Sequence, residues 1–111
     1  MVGRRAGRAL AETETLTRDY RVAFLRYLPQ RSEAALAHGY EIGRSAVGEG
    51  VSLLDLIHVH HTVLAELLRD SPDRVDDVLE AGGEFLREVL ATADMVQRGL
   101  TRRSDEQPAP D

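Results

Sequence analysis

The sequence predicts an all-α fold, a four-helix bundle. Three observations predict it. Apolar residues recur at helical spacing in four stretches of the 111-residue chain. Glycine, proline and serine lie mainly between these stretches, as is typical of helix ends. No stretch alternates apolar and polar residues over the length of a strand. A chain of this size forms one domain with a thin core, which self-association would help to stabilise.

The first helix is predicted from about Glu12 to Leu28. Pro29 should end it, because the proline ring cannot continue the backbone pattern. Residues 1–11 are basic and are expected to form a disordered N-terminus. The buried face of the helix is predicted to consist of Leu16, Tyr20, Ala23, Phe24, Tyr27 and Leu28.

The second helix should begin at Ser32, a good N-cap, with Glu33 near the positive end of the helix dipole. Gly39 and Gly43 lie four residues apart on its inward side. Glycine weakens a helix by about 1 kcal/mol relative to alanine, so the pair indicates close approach by a neighbouring backbone, unless both are merely tolerated. Gly48 or Gly50 should supply the left-handed residue at the C-terminus. The inward face is predicted to comprise Ala35, Leu36, Gly39, Tyr40, Ile42, Gly43, Ala46 and Val47.

The third helix, within Val51–Leu68, is predicted to be the central scaffold. Ser52 and Asp55 resemble a capping box at its start. Its apolar arc covers about half of the circumference, which requires neighbours on more than one side and favours packing within the bundle and across a dimer interface. The arc is predicted to contain Leu53, Leu56, Ile57, His60, Leu64, Leu67 and Leu68, with Leu54 and Val63 at its edges.

The fourth helix is predicted from about Pro72 to Leu100, with Ser71 as its cap and Pro72 at its first position. Gly82 and Gly83 could bend it. Residues 12–100 therefore form one helical domain, and residues 101–111 are expected to be a disordered polar tail. The apolar face is predicted to comprise Val75, Val78, Leu79, Gly82, Phe85, Leu86, Val89, Leu90, Ala93 and Val96.

The composition excludes several classes of function. A net charge of −5 disfavours nucleic acid as a partner, because phosphate binding needs a clustered positive surface. The chain has no cysteine, so it can form neither a disulfide nor a thiolate metal site. No signal peptide or membrane span is visible, and we expect a cytoplasmic protein. With 5% aromatic residues and no tryptophan, the core should be built from Leu, Val, Ile and Ala.

The histidines of the third helix permit two interpretations. His58, His60 and His61 could bind a metal or a cofactor, but they are spaced at i+2 and i+3, whereas zinc-binding pairs on one helix normally lie at i and i+4. Alternatively, His60 is packed and hydrogen-bonded inside the bundle, and the other two are partly exposed. No nucleophile motif and no phosphate-binding glycine loop is present, so we expect no enzyme and no cofactor.

Two segments carry a family resemblance. They are L-L-D-L-I-H-V-H-H-T-V-L in the third helix and E-F-L-R-E-V-L-A with M-V-Q-R-G in the fourth. Together with the aromatic first helix and the second helix A-L-A-H-G-Y-E-I-G-R-S-A-V-G-E-G, they resemble the N-terminal domain of RsbU-type serine phosphatases over about Tyr20 to Gly99. The resemblance implies a homodimeric helical bundle of the KaiA-like fold.

The resemblance also implies a role in partner-switching signalling. Such a domain binds an RsbT-like switch kinase, and binding rearranges a helical linker to a phosphatase that acts on an anti-anti-sigma factor. The family's partner surface would correspond here to Glu33, Ala37, Arg87 and Ala91. These positions are small or charged, whereas the family surface is richer in large apolar groups. No phosphatase domain lies within the sequence, so we expect a stand-alone relative or a regulatory piece.

Overall fold

The described part of the chain is an all-α bundle, as predicted. A computed structural model describes the backbone of residues 2–106 and the side chains of residues 13–95, 98 and 99. Within these residues there are four helices and no strand. The helices are α1 (Val2–Gln30), α2 (Glu33–Gly48), α3 (Leu53–Asp70) and α4 (Val75–Glu106).

Helix α1 is longer than predicted at both ends. It begins at Val2 rather than near residue 12, because arginine and alanine, which are strong helix formers, dominate the first stretch despite its two glycines. The predicted stop at Pro29 is wrong, since the Arg31 amide donates to the Tyr27 carbonyl (2.7 Å) beyond the proline. Arg31 then ends the helix with a left-handed backbone (φ 49°). The division into a domain with disordered ends stays a prediction, and residues 107–111 lie outside the described residues.

The caps of α2 agree with the sequence analysis. The Ser32 hydroxyl accepts from the Ala35 amide (3.1 Å). At the other end, Gly50 adopts φ 82°, and the Val51 amide donates to the Ala46 carbonyl (2.9 Å). This left-handed glycine turns the chain into α3.

Helix α3 is capped as predicted but is rotated relative to the predicted arc. The Ser52 hydroxyl accepts from the Asp55 amide (3.1 Å). Val63, placed at the edge of the arc, is buried, whereas Leu54 and Ile57 are 79% and 46% exposed. The rotation arises because α3 lies against α1 as well as α4. Ile57 is therefore not in the core of this chain. The buried residues of α3 are Leu56, Val59, Val63 and Leu67.

The predicted start of α4 is wrong. The Ser71 amide donates to the Leu67 carbonyl, so Ser71 closes α3. The Arg74 amide donates to the Ser71 carbonyl (3.0 Å), which makes Ser71–Arg74 a hydrogen-bonded turn with Pro72 at its second position. Helix α4 begins only at Val75 and continues to Glu106, beyond the predicted end at residue 100.

Helices α1 and α4 form the centre of the bundle. Each contacts the other three helices, and α2 and α3 pack mainly against this pair rather than against each other. The expectation of an aliphatic core is only partly correct, because four of the five aromatic residues meet in it. The Phe85 ring lies 5.2 Å from Tyr20, 5.6 Å from Phe24 and 5.8 Å from Tyr27, measured between ring centroids. The contacts with Tyr20 and Phe24 are edge-on, and such ring contacts stabilise a core beyond the area that they bury.

On α4 the predicted apolar face is correct in the middle and less so at the start. Phe85, Val89 and Ala93 are buried, but Leu79 is 47% exposed, and Thr92 is an unpredicted buried residue. The side chain of Val96 lies outside the described residues. Over the described residues, none of the helices combines the length and the apolarity needed to cross a membrane.

Candidate functional site

Two glycines hold α2 directly against α4. A Cβ atom on Gly39 would lie 3.0 Å from the Phe85 ring, and one on Gly43 would lie 3.0 Å from the carbonyl carbon of Val89 and closer still to its oxygen. The Thr92 hydroxyl donates to the Tyr40 carbonyl (3.1 Å) across the same contact. The predicted close approach of a neighbouring backbone is confirmed at Gly43, whereas Gly39 packs against the Phe85 side chain. Together the two contacts hold α2 close to α4.

The four residues assigned to partner binding are exposed on this pair. Glu33 and Ala37 lie one turn apart on α2, and Arg87 and Ala91 lie one turn apart on α4. Arg87 makes no ion pair within 4 Å with any described side chain, so its guanidinium is available to a ligand. A partner could reach all four side chains, and their role in binding stays a prediction.

Arg31 connects the start of α2 to one stripe of α4. Its guanidinium lies 3.6 Å from Glu80 and 3.5 Å from Glu84, and it donates to the Asp77 carbonyl (3.0 Å). The stripe consists of positions at i, i+4, i+7 and i+11, which face the same side of a helix. Since Glu33 follows Arg31 by two residues, the N-terminus of α2 and the Glu80–Glu84 part of this stripe belong to one end of the bundle. The stripe contains Glu80, Glu84, Arg87 and Ala91.

Tyr27 strengthens the same end of the bundle. Its hydroxyl donates to the Glu84 carboxylate (3.1 Å). Burial raises the pKa of Tyr27, and the hydrogen bond to Glu84 raises it further. The hydroxyl therefore stays protonated and remains a donor to Glu84. A carboxylate that binds both Tyr27 and Arg31 links the turn between α1 and α2 to α4.

His60 has the packed, hydrogen-bonded environment that the sequence predicts. Its Nδ1 atom lies 2.7 Å from the Tyr20 hydroxyl, and the two rings meet edge-on at 5.8 Å. Burial lowers the pKa of His60, and the neighbouring His61 lowers it further. Burial also raises the pKa of Tyr20 well above its usual value. A neutral imidazole that accepts a hydrogen bond from the protonated tyrosine hydroxyl satisfies both groups.

The structure does not bring the three histidines together. His60 faces Tyr20, whereas His58 and His61 are exposed. Among the described residues, no group of three or more His, Cys, Asp or Glu side chains is close enough to hold a metal ion. A metal site at these residues therefore lacks a geometric basis in the part of the chain that is described, and a cofactor site stays an untested hypothesis.

Sequence reasoning missed the ion pair between Arg21 and Glu66. Two hydrogen bonds of 2.8 and 3.0 Å join the guanidinium to the carboxylate and tie α1 to α3. The hydrogen bond from Arg21 lowers the pKa of Glu66. No local pattern could have revealed this pair, because its members lie 45 residues apart.

Sequence reasoning also missed an open groove of about 840 Å³ between α1 and α2. Its lining includes His38, the one histidine that the sequence analysis left aside, and charged residues from both helices. The groove lies on a different side of α2 from the face that contacts α4, because Gly39, Tyr40 and Gly43 do not line it.

Comparison with known proteins gives the family. The family model described as the N-terminal domain of the phosphoserine phosphatase RsbU matches residues 18–96. No curated protein and no solved structure was found to match. The matched residues cover more than half of the chain and include the buried parts of all four helices. This chain belongs to the family of the RsbU N-terminal domain.

Proposed function

We propose that this chain is a non-catalytic regulatory domain of partner-switching signalling. In this proposal it acts in the cytoplasm as a homodimer and binds an RsbT-like switch kinase. Binding controls a phosphatase whose substrate is an anti-anti-sigma factor. The observation that carries the proposal is the family match over residues 18–96, since the RsbU N-terminal domain is a regulatory domain and not the catalytic phosphatase domain.

The α2–α4 pair supports a binding role for this surface. Its two helices are locked by Gly39 and Gly43, so a partner would meet a surface whose backbone is already ordered. A preorganised surface loses less conformational entropy on binding than a mobile one. Ala37 and Ala91 leave room for large side chains of a partner, and Arg87, one turn before Ala91 on α4, offers a charge without an ion pair among the described residues. Small apolar residues beside a charged one are compatible with an interface that has an apolar core and a polar rim.

Helix α4 also supports transmission of a signal. The last described buried residue of α4 is Ala93, whereas the helix itself runs to Glu106. A helix that packs in the core and also carries the proposed binding residues can transmit a rotation or a shift along its length. In the proposal, the kinase binds near Arg87 and Ala91 and changes the setting of this same helix.

The direct test is titration of the full chain with the purified switch kinase encoded nearest to its gene. A37E and A91E each place a carboxylate on the proposed surface without touching the core. We expect each to weaken binding by roughly tenfold or more, as for a charge buried at an interface centre. H58E adds the same charge to an exposed site on α3 and should leave the Kd unchanged. Equal weakening by all three variants, or none, contradicts the proposed surface.

The dimer is tested separately by light scattering. We expect a mass of two chains at high micromolar concentration. A strict monomer at that concentration contradicts the dimeric part of the proposal. Whether the chain binds the switch kinase is then decided by the titration alone.

A further inference from the structure

We propose that the groove between α1 and α2 binds an amphipathic helix of a partner protein, with acidic residues along one flank and basic residues along the other. This surface is separate from the one proposed for the switch kinase, and the inference does not depend on that function. It rests on the shape of the groove, its apolar floor and the distribution of charge on its walls.

The floor of the groove is apolar and sits on the core. Leu16 and Ala23 contribute from α1, and Ile42 and Ala46 contribute from α2. Val22 also lines the groove and is 45% exposed. An open trough of about 840 Å³ between two helices accommodates the apolar side of a third helix over several turns.

The walls carry opposite charges. Arg18 and Arg26 lie on the α1 wall, and Glu41 and Glu49 lie on the α2 wall. Asp19 reduces the positive charge of the first wall without cancelling it, and the two glutamates make the second wall negative. The two walls therefore present fields of opposite sign to anything placed between them.

These charges are not used within the chain. All four exposed side chains, Arg18, Arg26, Glu41 and Glu49, lack an ion pair within 4 Å among the described residues. The helices are joined by the short turn at Arg31 and Ser32 and run in opposite directions. Arg26 thus lies at the end of the groove that holds Glu41, and Arg18 lies at the end that holds Glu49. The groove therefore lies between Arg26 and Glu41 at one end and between Arg18 and Glu49 at the other.

The spacing along the two walls is the same. Arg18 and Arg26 are eight residues apart, and so are Glu41 and Glu49. Eight residues of an α-helix span about 12 Å. A helix lying along the groove would therefore meet both charges of each wall with residues about two turns apart on its own flanks. Its carboxylates would face the arginines of α1, and its basic side chains would face the glutamates of α2.

A second copy of this chain fits the groove less well. If α1 of another copy entered the groove in an antiparallel arrangement centred on Val22, its Arg26 would lie opposite Arg18 of the first copy. Like charges at such a contact are destabilising. The exposed stripe of α4 carries Glu80, Glu84 and Arg87 along one line rather than on two flanks. The charge pattern thus favours a different protein.

The test uses three synthetic Ala- and Leu-based helical peptides of about 18 residues, long enough to be helical in part. One has an acidic and a basic flank, the second has two acidic flanks, and the third has two basic flanks. A peptide with exchanged flanks is not a useful control, since it can bind in the opposite direction. We expect saturable binding of the split-charge peptide to the full chain, with a Kd roughly tenfold below those of the other two. Each exposed ion pair contributes a factor of about 1.5 to 5.

Charge reversals of the protein make the test specific. R18E/R26E should transfer the preference to the basic peptide, and E41R/E49R should transfer it to the acidic one. The variant that combines all four reversals should prefer the split-charge peptide again, since its walls carry opposite charges once more. E14R/R44E reverses exposed charges of α1 and α2 outside the groove lining and should change nothing. Circular dichroism establishes that each variant is folded.

The proposal is overturned if no peptide binds at millimolar concentration, if all three bind alike, or if E14R/R44E alters the preference as strongly as R18E/R26E. It is also overturned if R18E/R26E changes the mass measured by light scattering, because the groove would then be occupied by a second copy. The titration of A37E and A91E tests a different surface, so its result does not change what these peptide experiments would show.

Discussion

The Tyr20 hydroxyl lies 2.7 Å from Nδ1 of His60 and joins α1 to α3 inside the bundle. The two residues are 40 positions apart in the sequence, and the Tyr20 ring also meets the Phe85 ring of α4 edge-on. Three helices thus meet at Tyr20. In an apolar environment the polar contact between Tyr20 and His60 is costly to leave incomplete.

This contact predicts a loss of stability in mild acid. The pKa of His60 is lowered in the folded chain relative to its ordinary value near 6.5, so the unfolded chain takes up a proton more readily. The contribution of neutral His60 to stability is complete above pH 6.5 and is lost as the pH falls from there through the folded pKa. Urea unfolding at pH 7.5, 6.5 and 5.5 measures it, and the free energy of unfolding should decrease over this range.

Two variants show whether His60 causes this pH dependence. H60Q removes the titrating group and should flatten the dependence, whereas H58Q changes an exposed histidine and should retain it. Protonation of Glu66 affects the free energy of unfolding only at lower pH, because Arg21 lowers the pKa of this carboxyl from the usual 4.5. An unchanged slope in H60Q between pH 7.5 and 5.5 would show that another group causes the effect.

The two tyrosine hydroxyls should differ in their contribution to stability. Y20F leaves the half-buried Nδ1 of His60 without a donor, and we expect a loss of about 1–3 kcal/mol in the free energy of unfolding. Y27F leaves Glu84 with the nearby Arg31 and access to water, so its cost should be smaller, about 0.5–1.5 kcal/mol. Equilibrium unfolding in urea at pH 7.5 compares them. A larger loss in Y27F than in Y20F would contradict this account of the contact.

Neighbouring residues of α3 test its rotation. Leu56 is fully buried and Ile57 is 46% exposed. L56A should lower the free energy of unfolding by about 2–5 kcal/mol, as expected for a truncated core side chain. I57A should cost less than about 1 kcal/mol at protein concentrations where the chain is monomeric. Similar losses for both variants under those conditions would place Ile57 in the core and restore the predicted arc.

Signals that act over a few residues were readable in the sequence. Ser32 and Ser52 cap helices because their hydroxyls reach amides three residues ahead, and Gly50 adopts a positive φ that other residues avoid. Helical spacing identified all four helices and most of their buried residues. Gly39 and Gly43 were informative because two glycines inside a helix need a reason outside it.

Features that depend on contacts between distant residues were not readable. The rotation of α3 results from its packing on α1 and α4, and the wide apolar arc alone left several rotations possible. Pro72 is suited both to the start of a helix and to a turn, and the bond from Arg74 to Ser71 decides for the turn. Arg31 gave no signal, because a left-handed arginine is unusual. The charges lining the groove come from two helices and are adjacent only after folding.

Two glycine-to-alanine changes test whether the close approach of α2 to α4 constrains the fold. Both positions are helical, so alanine should stabilise each helix by about 1 kcal/mol when nothing else changes. At Gly83 nothing lies within 4 Å of an added Cβ, and G83A should show this gain. At Gly43 the added methyl group would overlap the Val89 carbonyl, which belongs to the backbone and cannot rotate away. Overpacking of this kind costs about 1–3 kcal/mol, and α2 must also move from its contact with α4.

We therefore expect changes of opposite sign, with G43A less stable than the wild-type chain and G83A more stable. Urea unfolding gives both free energies, and the Thr92 hydroxyl provides a second readout. Because it bonds to the Tyr40 carbonyl across the same contact, T92V should cost about 0.5–1.5 kcal/mol in the wild-type chain and less in G43A. If G43A is as stabilising as G83A, the backbones of α2 and α4 are farther apart than the structure shows, and the proposed rigid base of the partner surface is lost.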